Sequence, residues 1–133
     1  MNPCSIDIKD ILVEDINLGL EFGKNLFIGL EPTEPSSCIT IFDTGGLPPQ
    51  LMLSKNDVGY EYPTINIRSR NTSYVDGWKI INDIKTLLHN MGNFDVLGGV
   101  HYTIIYCASG PAFMGWDENN RARFTVNFNL QRR

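Results

Sequence analysis

Tyr62-Pro63-Thr64-Ile65-Asn66-Ile67-Arg68-Ser69-Arg70-Asn71-Thr72-Ser73 reads as a strand that hands over to a helix. Ile65 and Ile67 are two residues apart, so an extended chain places both on one face. Pro63 is tolerated because the first residue of a strand need not donate to the ladder. Thr72 or Ser73 then supplies a helix N-cap, and Ser73 with Asp76 makes a shortened capping box. Tyr74, Trp78, Ile81, Ile84, Leu88 and Met91 follow at spacings of four, three, three, four and three, which predicts an amphipathic helix. Ile80 and Leu87 broaden that stripe. Gly77 costs the helix about 1 kcal/mol relative to alanine, and it allows close packing against a sheet. Gly92 is expected to close the helix.

Upstream, Ser5 or Asp7 is placed to cap a first helix. Ile8, Ile11, Leu12 and Ile16 form its narrow apolar stripe, and Gly19 or Gly23 ends it. Leu26, Ile28 and Leu30 predict a first strand, and the two prolines of 31–37 a turn region. Cys38 to Phe42 reads as a second strand. Asp43 to Tyr62 is a long connection, and a loop of that size in a small domain is usually functional. Its apolar Leu47, Leu51, Met52 and Leu53 suggest that it docks on its own domain or on a neighbouring subunit.

Downstream, Val100 to Cys107 is apolar on both faces and predicts a central strand. Phe124, Val126, Phe128 and Leu130 alternate with Arg123, Thr125, Asn127 and Asn129, the pattern of an antiparallel strand with one wet face. Ser109 to Asn120 is expected to be a long hairpin loop. The order α-β-β-β-α-β-β predicts one α+β domain over residues 1–133, with two helices on one face of a curved antiparallel or mixed sheet of about five strands.

The bulk composition bounds the function. The chain has 133 residues, enough for one ordinary core, with 42% hydrophobic and 20% charged residues. A net charge of −4 opposes a general grip on nucleic acid phosphates. The three cysteines, Cys4, Cys38 and Cys107, are widely spaced and form no CxxC pair, so neither a zinc site nor a disulfide framework is indicated. They fit a reducing compartment. No N-terminal signal pattern and no apolar run of about 20 residues is present.

Asp43-Thr44-Gly45 after an apolar strand is the sharpest local motif. Aspartic proteases of the retroviral type end a strand this way and share one proton between two such aspartates. Phe94-Asp95-Val96-Leu97-Gly98 resembles their later apolar element, but Gly46 replaces their small Ala or Ser, and the strongest helix pattern stands where a flap should be. The plainer expectation is that Asp43 caps a tight turn in which Gly45 and Gly46 supply positive φ. His89 belongs near a helix C-terminus, where the dipole favours a cation. Neither His89 nor His101 forms a readable nucleophilic triad. Arg68, Arg70, Arg121 and Arg123 are candidates for contacts with acidic patches of another subunit. The alternative is a solvated strand edge. Trp116, on a polar stretch beside Asp117 and Glu118, is a candidate interface anchor, or it folds back over the sheet end.

Taken in order, Ile39 to Gly46, Tyr62 to Arg70, the helix Tyr74 to His89, Gly115-Trp116-Asp117-Glu118-Asn119-Asn120-Arg121 and Asn127-Phe128-Asn129 resemble the minor capsid or tail terminator proteins of long-tailed phages. The resemblance covers roughly residues 5–131. It implies a structural virion protein of the head-tail neck, assembled in the host bacterial cytoplasm. Such proteins form a ring, commonly of six subunits, that caps the tail tube, stops its polymerisation and joins it to the head. The implied partners are further copies of the chain, the tail tube protein and a head connector. DNA passes through without specific binding, and no membrane is involved. A head-completion protein on the portal side is the alternative within phage necks. No catalytic residue, cofactor or metal is implied. The expected contact surfaces are the 43–62 loop with Asp43, then Arg68, Arg70, Trp116 and Arg121.

Overall fold

The computed structural model describes residues 2–49, 59–96 and 98–133. Helix α1 (Cys4–Glu14) precedes β1 (Leu26–Ile28), β2 (Cys38–Leu47) and β3 (Tyr62–Asn71). Helix α2 (Tyr74–Leu88) follows, then β4 (Met91–Val96), β5 (Val100–Trp116) and β6 (Ala122–Arg132). The six strands form one mixed sheet in the order β1-β2-β3-β6-β5-β4. β1 pairs parallel to β2, and every other neighbouring pair is antiparallel. This is the expected α+β domain, with one strand more than the sequence suggested.

Both helices lie on the same face. Ile8 and Leu12 of α1 meet Ile39, Ile41, Ile65 and Ile67, and Ile81, Ile84 and Leu88 of α2 join the same core. Register explains the match, because Ile65 stands opposite Phe128 and Ile67 opposite Val126. The alternation of β6 buries Phe124, Val126, Phe128 and Leu130 as expected. Each such side chain contributes roughly 1.5–3 kcal/mol. The helix-free face is polar. There the Asn66 amide donates to Thr125 Oγ1 at 2.5 Å and to Asn127 Oδ1 at 2.9 Å, and Arg68 lies 4.8 Å over the Phe42 ring.

Helix α2 begins where the sequence places it, and the Asp76 N–H donates to Ser73 Oγ at 3.4 Å. Gly77 is buried, and a Cβ there would stand 3.2 Å from Phe124 Cε2 and from Asn71 Cβ. The bare position lets the helix settle on the sheet. It also moves the buried meridian to Gly77, Ile81, Ile84 and Leu88, so Tyr74 and Trp78 stay half exposed.

Several boundaries differ from the sequence reading, each for a local reason. Pro3, not Ser5 or Asp7, is the α1 N-cap residue, and it has no side-chain cap bond. Ser5 and Asp7 lie inside the first turn and are buried. The helix stops at Glu14, leaving Ile16 exposed. β1 ends at Ile28, before Leu30. Asp43-Thr44-Gly45-Gly46 is no turn: β2 continues through it to Leu47 with a bulge between Thr44 and Gly46. Neither glycine has positive φ. Gly46 instead allows close strand approach, since a Cβ would collide with the Tyr62 carbonyl oxygen.

Helix α2 closes at Leu88, and Asn90 takes φ 68°. Met91 and Gly92 therefore begin the strand β4 that the sequence reading missed. Ser109 to Trp116 is strand rather than loop. β5 runs on against β6 through shifts in register between Cys107 and Ser109, Ser109 and Ala112, and Phe113 and Gly115. The hairpin connection is only the stretch between Trp116 and Ala122. Of the long connection after β2, Leu51, Met52 and Leu53 lie outside the described residues.

A polar clasp ties the ends of the fold. Arg132 Nε donates to Glu61 Oε2 at 3.1 Å, and its Nη1 donates to the Asn2 carbonyl at 2.8 Å and to Tyr102 Oη at 3.3 Å. Tyr102 Oη in turn donates to Asp7 Oδ2 at 2.6 Å. Burial, then the bond to Asp7, pushes the Tyr102 phenol far above its ordinary value, so it stays protonated.

Candidate assembly surface

The first turns of α2 and the last residues of β5 together present an apolar surface. Tyr74 and Trp78 come from the helix, with the exposed Val75 beside them, and Phe113 and Trp116 from the strand, with the exposed Met114 between them. The register puts Phe113 opposite Phe124 and Trp116 opposite Ala122, on the helix side of the sheet. Tyr74 packs against Phe113 at 5.1 Å between ring centroids and against Phe124 at 5.0 Å. Phe113 meets Trp116 at 6.0 Å. These are edge-on contacts of the kind aromatic rings prefer.

Exposure is what sets this cluster apart. Tyr74, Trp78, Phe113 and Trp116 are between 42% and 53% exposed, and Val75 is 70% exposed. At roughly 200 Å² per ring side chain, the four aromatics alone leave about 400 Å² in water. A contiguous apolar patch of that size matches the largest patch of a typical subunit, which is often a functional surface. Aromatic and methionine side chains with few charges are also what the buried centre of an interface contains.

The structure separates the residues expected to make contacts. Trp116 belongs to the aromatic surface. Arg68 lies on the polar sheet face, with its Nε donating to Asn66 Oδ1 at 2.9 Å. Arg70 and Arg121 are buried, and their guanidinium groups are used inside the subunit. Arg70 Nη1 meets Glu31 Oε1 at 3.1 Å, and its Nη2 donates to the Pro35 carbonyl at 2.7 Å. Arg123 reaches the other oxygen of Glu31 at 3.1 Å. Arg121 donates from Nη1 to the Thr33 carbonyl at 2.6 Å and from Nε to Asp117 Oδ2 at 2.6 Å. Two strand arginines, Arg70 and Arg123, and Arg121 of the hairpin connection thus pin the 31–35 segment across the sheet end. Arg70 Nε and Thr40 Oγ1 are left buried without a hydrogen-bond partner among the described residues.

Asp117 organises the β5–β6 connection. Its Oδ1 accepts the Asn119 and Arg121 N–H groups, each at 2.9 Å. Burial opposes its charge, but these bonds and the Arg121 guanidinium outweigh that and hold the carboxyl below its ordinary value.

Asp43 is also structural. Its two carboxylate oxygens accept the Ser5 N–H at 3.0 Å and Ser5 Oγ at 2.5 Å. A strand residue therefore caps the first turn of α1, the role the sequence reading gave to Ser5 itself. The Phe94–Gly98 stretch is β4 and the turn after it, with Leu97 outside the described residues, and α2 occupies the place of a protease flap. His101 Nδ1 lies 2.8 Å from Asp95, and His89 Nδ1 accepts the Cys107 N–H at 2.9 Å. Burial pushes the Cys4, Cys38 and Cys107 thiols up, which keeps them protonated and weakly nucleophilic. Among the described residues, no group of three His, Cys, Asp or Glu side chains stands ready for a metal.

Tyr74, Val75, Trp78, Phe113 and Met114 were missed as surface residues. Tyr74 and Trp78 fit the apolar helix stripe too well, and the strand containing Phe113 looked like loop. The available signal was Gly77, whose missing side chain marks the side of α2 that touches the sheet.

No curated protein matches this chain. A family model described as bacteriophage tail terminator protein matches residues 12–133, which takes in every strand, α2 and the whole aromatic surface. The chain therefore belongs to the bacteriophage tail terminator family.

Proposed function

We propose that this protein assembles into a ring, of about six copies, that caps the phage tail tube, ends its polymerisation and joins it to the head. Membership of the family makes it a structural component of the phage tail. The exposed surface of Tyr74, Trp78, Phe113 and Trp116 carries the reading further, because clustered half-exposed aromatic side chains are what the buried centre of an interface contains. Charge supports the DNA passage that such a ring requires. The net charge is −4, and Arg70, Arg121, Arg123 and Arg132 spend their charge on internal carboxylates. Four of the eleven cations are thus withdrawn, and the negative balance of the whole chain opposes a strong phosphate grip in a lumen.

The test is the mass of the purified protein by light scattering, with negative-stain images of the same fractions, alone and mixed with tail tube protein. Rings of several subunits, or rings seen only on tube ends with tube growth arrested, are expected. A monomer that ignores tube ends refutes the reading. Binding to the portal-side connector alone would move the protein to head completion.

A further inference from the structure

The subunit carries a second surface feature at the other end of its sheet, a partly apolar groove on the otherwise polar face. A groove of about 530 Å³ opens on the helix-free side, where Leu47, Tyr62 and Tyr106 supply apolar surface among the polar Thr64, Asn129 and Gln131. Leu47 is 72% exposed and Tyr106 41% exposed. The volume falls within the ~300–1,000 Å³ of sites that enclose drug-sized groups, so it holds an indole and a phenyl ring together.

The two features are placed for head-to-tail contact. The aromatic surface stands at Ala122, the partner of Trp116, and the groove at Leu130 of the same strand. Eight residues of strand separate them by about 26 Å at ~3.3 Å per residue. One projects from the helix side and the other is cut into the bare side. A closed ring needs two different surfaces on each subunit, the first of one copy meeting the second of the next.

We infer that the aromatic surface of one copy, led by Trp116 and Phe113, seats in the Leu47–Tyr62–Tyr106 groove of the next copy. The inference rests on the ring reading. The occupant is a second copy because the described residues supply both an exposed aromatic knob and a groove of matching size whose Leu47, Tyr62 and Tyr106 can meet aromatic rings. Area agrees: the ~400 Å² of aromatic surface is about half of the ~800 Å² that one side of a standard interface buries. The polar rim would provide the rest. A twofold contact between two aromatic surfaces would stop at a dimer and leave every groove empty.

The test uses one knob variant, Trp116→Glu, and two groove variants, Tyr106→Glu and Leu47→Glu, with circular dichroism and thermal melting to confirm folding. Leu47 is exposed enough that its change cannot disturb the core. Light scattering, with tube protein where the wild type requires it, should find each single variant at the mass of one subunit. An equimolar mixture of Trp116→Glu with either groove variant should double that mass and go no further, because each pair retains one intact knob and one intact groove. Variants that assemble like the wild type overturn the inference, while the wild-type rings keep the ring reading intact. Groove variants that dimerise by themselves also overturn it, since knob would then be meeting knob, and so does a mixture that stays at monomer mass. A wild type that never assembles removes the ring reading and this inference with it.

Discussion

Arg70→Met is the substitution that most directly tests where the strand arginines act. The Arg70 side chain is 5% exposed and its partner Glu31 is 15% exposed. Removing one member of a buried ion pair costs about 3–5 kcal/mol, because the other charge stays behind. Three features reduce that figure. Arg123 still holds one oxygen of Glu31 at 3.1 Å. Arg70 Nε has no hydrogen-bond partner among the described residues, so its removal returns part of a buried donor's penalty of about 1–3 kcal/mol. Methionine also refills most of the aliphatic volume. The expected net loss is about 2–3 kcal/mol.

For a domain of this length that loss lowers Tm by roughly 6–15 °C. Urea unfolding monitored by circular dichroism should show a lower midpoint at an unchanged slope. A cycle with Glu31→Gln should give a coupling of about 0.5–3 kcal/mol between the two residues. A loss below about 1 kcal/mol would refute the buried-clamp account. Unchanged stability with abolished assembly would restore Arg70 to the intersubunit role that its sequence suggested.

Three further outcomes follow from the geometry. Gly77→Val should cost about 1–3 kcal/mol by overpacking against Phe124 and Asn71, and an unchanged Tm would mean that α2 does not sit so close to the sheet. Asp43→Ala should cost about 1 kcal/mol, the usual value of a lost helix cap, and should reduce amide-exchange protection at Ser5 and the residues after it. Full protection in that variant would show that Asp43 is not the cap. The Asp117 carboxyl lies below its ordinary value in the fold, so its contribution is complete above about pH 4 and is lost as pH falls through the folded value. Melting curves between pH 5 and pH 2 should be less steep for Asp117→Asn than for the wild type; parallel curves would contradict the assignment.

The elements built on strict periodicity were legible in the sequence. β3, α2 and β6 each carry apolar residues at a single period, and the structure pairs Ile65 with Phe128 and packs Ile81 and Ile84 above them. Strands built from turn-forming residues were not legible. Gly92 reads as a helix stop, yet it lies in β4 because only a glycine clears the Thr103 carbonyl. Asp43-Thr44-Gly45-Gly46 reads as a turn and Ser109 to Asn120 as a loop, and bulges carry the strands through Gly46 and on to Trp116. Trp116 could be picked out as a large apolar residue in a polar stretch. The duty of Arg70 could not, since its partner Glu31 stands 39 positions earlier and local spacing says nothing about such a contact.

The place of β6 in the sheet has a consequence for how the protein is made. β6 follows every other strand in the chain, yet it lies between β3 and β5. Until residues 122–132 leave the ribosome, the nascent chain holds two separate pieces: β1-β2-β3 with the helices, and the β4–β5 hairpin. Each piece then lacks its joining strand: Ile65 and Ile67 of β3 stand without Phe128 and Val126 beside them, and Ile105 of β5 without Leu130. The sheet cannot zip up progressively from its N-terminal side, so this domain must wait and close as one unit. During that wait it is a natural client for chaperones. Pulse-labelled exchange on chains stalled at Asn120 and at Arg133 plus a linker should find protection of Ile65 and Ile105 only in the longer one.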